Sequence, residues 1–238
     1  MKRTILIFFI IFFNFSFAQK KELRKAQKLY DAGDLEGSSQ ILSDFQPLLE
    51  NIDDKLKPNY YLLKGKVAKD NKLFNEAFDV LIPLKGIKSI EDDLERTLTL
   101  LAADIVNSAI DDNSKGDFKS SADKLYLAYE VDKEQNLDYL YFAASSAVNA
   151  SEFETALEYY TLLKEINYTG VITKYYVTEI DTDKETEVAK SEYDLYKKSK
   201  SYKDFREEKT ESKFPEIVKN IALIYAQMGD DDKAMSAV

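Results

Sequence analysis

Between Asp138 and Ile166 two apolar runs flank one short polar break, Asn149-Ala150-Ser151-Glu152. On both sides of the break apolar residues return every three or four positions, the period of a helix with one buried face. Ala144 and Ala147 before the break and Ala156 after it are small at the points where two helices would cross. Small side chains there permit close approach. Tyr141, Phe142, Tyr159, Tyr160 and Leu163 supply the bulk around the crossing. The pattern predicts an αα-hairpin.

The same register recurs along the chain. It reads Ala26, Leu29, Gly33-Asp34-Leu35, Ser38, Leu42, Phe45; then Gly65, Ala68, Lys72, Phe74, Ala77, Leu81, Leu84. It returns as Ala109, Gly116-Asp117-Phe118, Ser121-Ala122, Leu125, Ala128, and finally as Ala222, Tyr225, Gly229-Asp230, Ala234. The turn positions 33, 72, 116, 151 and 229 are 39, 44, 35 and 78 residues apart. Glycine at such a turn accepts a left-handed backbone, and a following Asp or Glu caps the next helix and opposes its dipole. The spacings place longer links at Lys55–Asn59 and Lys85–Asp92.

These five registers resemble the tetratricopeptide repeat (TPR) family, whose unit is a helix-turn-helix of about 34 residues. The resemblance implies an all-α fold, a TPR-like superhelix of αα-hairpins wound as a right-handed solenoid. One hairpin cannot bury its own apolar face, so neighbours must stack. Repeats 1–4 are expected over residues 19–168 and the start of a fifth over 213–238. The family's aromatic at the fourth position of the unit is missing or shifted in most repeats, and its closing Pro is not in register.

Residues 169–212 break the pattern. Val171 to Ile180 is β-branched and aromatic, Asp181 to Glu185 reads as a turn, and Thr186 to Ala189 as a returning strand. That predicts a small inserted β-hairpin before the last repeat. Ser191 to Lys200 predicts a short helix with Tyr193 and Tyr196 on one side, and the charged stretch Lys203 to Lys213 a loop. The 78-residue gap then equals one repeat plus roughly 44 inserted residues. After it, Pro215 suits the first turn of a new helix. The second helix of the fifth repeat reaches Val238 after about two turns. That leaves an apolar face uncovered and implies a native chain that continues.

The first 18 residues read as an address. Lys2 and Arg3 precede the apolar run Ile5–Phe13, and Ser16-Phe17-Ala18 offers small residues for cleavage after Ala18. A periplasmic or extracellular protein is expected, with no later membrane span. Cysteine is absent, which excludes disulfides and an N-terminal lipid anchor. Loss of Lys2 and Arg3 takes the formal charge from −10 to −12. Such a surface argues against nucleic acid and anionic membranes.

Chemistry enters mainly by exclusion. With neither His nor Cys, the chain has no Cys/His zinc site, Ser-His-Asp triad or Cys-His dyad. It has no phosphate-binding glycine loop of either common type. Glu91-Asp92-Asp93 and Asp230-Asp231-Asp232 fall at expected helix starts and read as caps. Asp181, Asp183, Glu185, Glu187 and Glu192 echo a calcium loop, but Thr186 stands where that loop needs Gly. No catalytic residue, metal or cofactor is expected.

The remaining candidate is a groove. In TPR arrays the first helix of each unit lines the concave surface. By register the resemblance implies Leu62, Lys66, Lys69 and Asp70 from the second repeat, and Val106, Ile110 and Asn113 from the third. The fourth supplies Tyr141, Ser145, Val148 and Asn149, the fifth Lys219, Leu223 and Gln227. Leu23, Gln27 and Leu63 occupy the positions where certain cytosolic TPR cochaperones clamp a C-terminal carboxylate, so that activity is not expected. The expectation is a non-catalytic scaffold binding a peptide or protein through this groove, the inserted hairpin, or both. Two alternatives stand beside it. One is a glycan-binding or nutrient-uptake accessory protein using exposed Tyr175, Tyr176, Tyr193, Tyr196 and Tyr202. The other is the helical domain of a larger exported enzyme. Homo-oligomerisation through the open C-terminal face is a further expectation.

Overall fold

The computed structural model describes residues 19–237. The expected signal peptide with its cleavage point, and Val238, lie outside the described residues. Among the described residues no helix is long and apolar enough to cross a membrane.

Helices pair about turns that share one backbone geometry. Gly33, Lys72, Gly116, Ser151 and Gly229 have φ of 80°, 60°, 80°, 59° and 80°, at the five turn positions expected from the sequence. In each turn the next N–H donates to the carbonyl five residues back, Asp34 to Leu29, Leu73 to Ala68, Asp117 to Asp112, Glu152 to Ala147 and Asp230 to Tyr225, all at 2.9 Å. This left-handed closure satisfies the orphan carbonyls of the first helix. The carboxylates of Asp34, Asp117 and Asp230 then accept from the N–H of Gly37, Ser120 and Lys233 and start the second helix.

The resulting helical hairpins are α1 (residues 19–31) with α2 (Leu35–Phe45), and α3 (Lys57–Asp70) with α4 (Phe74–Leu81). They continue as α5 (Glu91–Ser114) with α6 (Phe118–Val131), and α7 (Leu137–Asn149) with α8 (Phe153–Glu165). The insertion follows as β1 (Thr173–Glu179), β2 (Lys184–Val188), α9 (Lys190–Tyr196) and β3 (Tyr202–Lys209), before the last pair α10 (Phe214–Gln227) and α11 (Asp231–Ser236). The links expected at 55–59 and 85–92 begin and end earlier than read, at 46–56 and 82–90, and each contains 3-10 turns. Pro58 lies inside the first turn of α3, where a missing N–H costs nothing, and α5 already starts at Glu91. The chain divides into two compact units inside α7, between Tyr139 and Leu140.

In the first unit, Leu23, Ala26, Leu42, Phe45, Tyr60, Leu63 and Val67 form one buried cluster among α1, α2 and α3. The hydroxyl of Tyr60 donates to the Leu42 carbonyl at 3.0 Å, and burial pushes its pKa up to about 12. A second cluster joins α3 through α6, with Leu81, Leu101 and Ile105 fully buried. Gly65 permits the α3–α4 approach, since a Cβ there would lie 2.4 Å from Leu81 Cγ and Cδ2. Between α5 and α6, Lys124 donates to Asp112 at 2.5 Å and to Ser108 at 2.8 Å.

In the second unit, Ala144, Ala147 and Ala156 are fully buried, as the hairpin expectation required. α8 packs on α10, where Asn220 donates to the Tyr160 hydroxyl at 3.0 Å. The insertion is a three-stranded antiparallel sheet in the order β2-β1-β3. The hairpin is present, but the stretch expected as a charged loop from Lys203 is strand β3. A bulge hid it. Val177 faces two residues of β3 where the register shifts between Tyr176 and Thr178, and Asp204 sits there at φ 51°. The half-buried Tyr202 and Phe205 are therefore three residues apart and show no two-residue alternation. The charges of β3 pair across the sheet, Arg206 with Glu185 at 3.1 Å and Lys203 with Asp183 at 2.6 Å.

Candidate partner-binding surfaces

The first helices of the three hairpins in the first unit carry a polar strip. Tyr30 on α1 donates its hydroxyl to Asp70 on α3 at 2.7 Å, and Lys69 bridges Asp70 and Asp104 on α5, the latter at 3.1 Å. Lys66 reaches Asp93 at 2.6 Å, and Arg96 shares that carboxylate at 3.1 Å. Burial and the Asp70 bond both push the Tyr30 phenol far above its ordinary value. Burial by itself lowers the Lys69 pKa, yet its bonds to Asp70 and Asp104 outweigh that and hold it raised. A cavity of about 350 Å³ opens beside this strip, lined by Lys69, Asp70, Asp104, Asn107 and Asp111 among others.

Several expected groove residues are thereby reassigned. Leu62 is only 4% exposed and belongs to the core, because α5 packs against the face of α3 that carries it. Lys66 and Lys69 are committed to carboxylates on the adjacent helix, so they join α3 to α5 within the molecule. Val106 is half-buried against the core, whereas Asn113 is exposed and Ile110 is 56% exposed on α5.

A larger cleft of about 550 Å³ runs along the N-terminal half of α5, opposite the segment that ends α6 and begins α7. Leu94, Leu98, Ala102 and Val131 form its apolar floor, and Glu91, Glu95 and Asp132 stand at its rim. Sequence reasoning missed it. The available signal was the apolar recurrence at 94, 98 and 102, which starts ten residues earlier relative to the turn than in α3.

In the second unit, Tyr141 is 8% exposed and packs with its ring edge toward Tyr160 and beside Tyr168, both at 6.3 Å. Burial, then a hydrogen bond to Glu216, drives its pKa far above the ordinary value. Lys213 lies 4.4 Å over the Tyr141 ring. Tyr141 therefore anchors the base of the insertion and is not an open groove position. Ser145 and Val148 are half-buried and Asn149 is exposed. Lys219 is exposed on α10, and Leu223 one turn later is 52% exposed.

On the insertion, Tyr193 is 2% exposed, held between Tyr175 at 4.9 Å and Phe205 at 5.6 Å. It is the core of the α9–sheet contact, a correction to its reading as a surface tyrosine. Tyr196 stacks on Tyr202 at 4.1 Å, and Tyr176 lies under Arg206 at 4.0 Å. Glu185 and Glu187 of the calcium-like run sit on β2, engaged with Arg206 and Lys174. Among the described residues no three acidic groups are placed to hold a metal ion.

No protein-family model matches the sequence. No curated protein matches it. Among solved structures, the chain is similar to MamA at 16% identity and a TM-score of 0.35, with 89% of each chain covered. It is similar to a Podosopora anserina protein with nearly identical TPR-like repeats at 10% identity and a TM-score of 0.36, covering 92% of this chain and 90% of that one. A thermophilic TPR protein of Thermus thermophilus shows 14% identity and a TM-score of 0.29 over 92% of this chain and 87% of that one.

Proposed function

We propose that this chain is a non-catalytic, exported TPR-type scaffold that binds a peptide or protein partner on the first helices of its hairpins. The observation that carries the reading is made in each unit by itself: Ile110 on α5 is 56% exposed and Leu223 on α10 is 52% exposed, each at an expected groove position. Leu101, Ile105, Ile217 and Ile221 on the same helices are buried, while Leu100 on α5 is also 50% exposed. Exposed apolar side chains flanked by Asn113 and Lys219 suit an extended or helical peptide. The insertion offers a second contact surface, with Ile180 after β1 and Leu195 on α9 both exposed. Export to the periplasm or beyond rests on the N-terminal pattern of Lys2, Arg3, Ile5–Phe13 and Ala18.

The test is affinity capture from the native exported fraction with the chain beginning at Gln19. Ile110→Asp, Leu223→Asp and a variant with residues 171–212 replaced by a short linker serve as comparisons. A partner retained by the parent and lost from the Asp variants supports the first-helix reading. Loss only from the linker variant moves recognition to the insertion. If no protein is retained by any form, the scaffold reading fails and glycans become the next ligand class to try.

A further inference from the structure

We propose that the cleft along the N-terminal half of α5 binds an extended peptide segment in which an apolar side chain is flanked by Lys or Arg. The proposal rests on the scaffold reading and names the chemistry of the partner.

The cleft exists because α5 is unusually long. It has 24 residues against 14 for α3 and 13 for α7, and the excess is at its N-terminus. Apolar positions Leu94, Leu98 and Ala102 continue onto that extension and floor the cleft, with Val131 facing them. Glu91, Glu95, Thr99 and Ala103 recur every fourth residue and form one edge. At roughly 1.5 Å per residue that edge is about 18 Å long, the span of about five residues of extended chain. Ile110 lies about two turns beyond Ala103 on the same stripe and prolongs the apolar track toward the expected groove.

Charge decides which peptide fits. Glu91 and Glu95 make no ion pair among the described residues. Asp132 stands across from them, its carboxylate accepting, among the described residues, only from backbone N–H groups of Glu134 and Gln135. The one cation of the lining, Lys85, is held 2.8 Å from the Val131 carbonyl at the end of α6. Three carboxylates against one ammonium leave the lining net negative, though the N-terminus of α5 offsets part of the Glu91 charge, in a chain of net charge −10. Such a lining attracts cationic segments and repels acidic ones.

The experiment selects from a random heptapeptide display library on the full chain, then measures a selected peptide by fluorescence anisotropy. The expected result is enrichment of Leu, Ile or Phe with Lys or Arg within two positions, and weaker binding at high salt. Glu91→Lys combined with Glu95→Lys should weaken binding by about tenfold or more. Ala103→Trp, which fills the cleft from an exposed position, should do the same. Glu91→Gln combined with Glu95→Gln should give an intermediate loss, and circular dichroism should be unchanged in all three. Selection of acidic or uncharged peptides, no selection, or full binding by both the Lys and Trp variants overturns the proposal. If partner capture that depends on Ile110 and Leu223 survives such a result, the scaffold reading stands and only the cleft assignment falls.

Discussion

Gly65→Ala tests whether the α3–α4 crossing sets the packing of the second hairpin. In an ordinary helix this change stabilises by up to about 1 kcal/mol, because glycine loses more backbone freedom on folding. Here the new methyl would sit 2.4 Å from Cγ and Cδ2 of Leu81. Leu81 is fully buried in the cluster that joins α3 to α6, so it cannot swing toward solvent. Overpacking of that kind costs about 1–3 kcal/mol. The net expectation is a loss of about 1–2 kcal/mol. Leu81→Ala alone removes a buried leucine and should cost about 2–5 kcal/mol. The double variant should recover about 1 kcal/mol or more relative to the sum, since the Gly65 methyl then enters the space that Leu81 vacates. Urea unfolding followed by circular dichroism at the helical band measures each midpoint, and hydrogen exchange on α3 and α4 localises the change, as nearest-neighbour repeats can unfold in parts. A Gly65→Ala chain as stable as the parent, or strictly additive single and double variants, would refute the close-approach argument.

Four further expectations follow from the same geometry. Ser151→Gly should raise stability by about 1 kcal/mol and Gly116→Ala lower it by a similar amount, because both positions hold a left-handed backbone; thermal melts read both signs. Tyr193→Ala should cost about 3–5 kcal/mol within the insertion, seen as lost exchange protection of β1 and β3 while α3 to α6 stay protected. Asp112 is held below its ordinary pKa by its bonds to Lys124 and Ser120. Its contribution is thus full above the unfolded carboxyl value of about 4 and lost as pH falls through the lower folded value. Asp112→Asn should flatten the acid limb of a stability–pH curve, and an unchanged limb would contradict that. Tyr60, raised to about 12, stabilises the fold below the ordinary phenol value near 10 and loses that contribution as pH rises toward 12; Tyr60→Phe should blunt the alkaline loss followed by tyrosinate absorbance.

The five hairpin turns were legible because a turn is a local object. Gly33, Gly116 and Gly229 announce a left-handed backbone, an acidic residue announces the next helix, and the period of small and large apolar residues marks the face that pairs. Lys72 and Ser151 could be placed only because the register of their neighbours required a turn there. The β-hairpin of the insertion was equally local, two β-branched and aromatic runs about a polar turn.

What the sequence could not decide was which surface each side chain meets across the fold. Leu62, Tyr141 and Tyr193 fit an open surface by register, and tertiary packing buried them against α5, Tyr160 and the sheet. Lys66 and Lys69 look like free cations until α5 brings Asp93 and Asp104 alongside. β3 reads as a charged loop because its bulge at Asp204 breaks the alternation, and the partners of Lys203 and Arg206 across the sheet lie some twenty positions earlier, on β2 and its turn. The cleft along α5 belongs to the same class. Each of its residues has an ordinary place in a helical pattern, and only the extra length of that helix against its neighbours leaves an apolar floor open beneath unpaired carboxylates. Backbone geometry and periodicity act within a few residues and are written in order along the chain. Burial and charge pairing depend on residues that the chain brings together from afar.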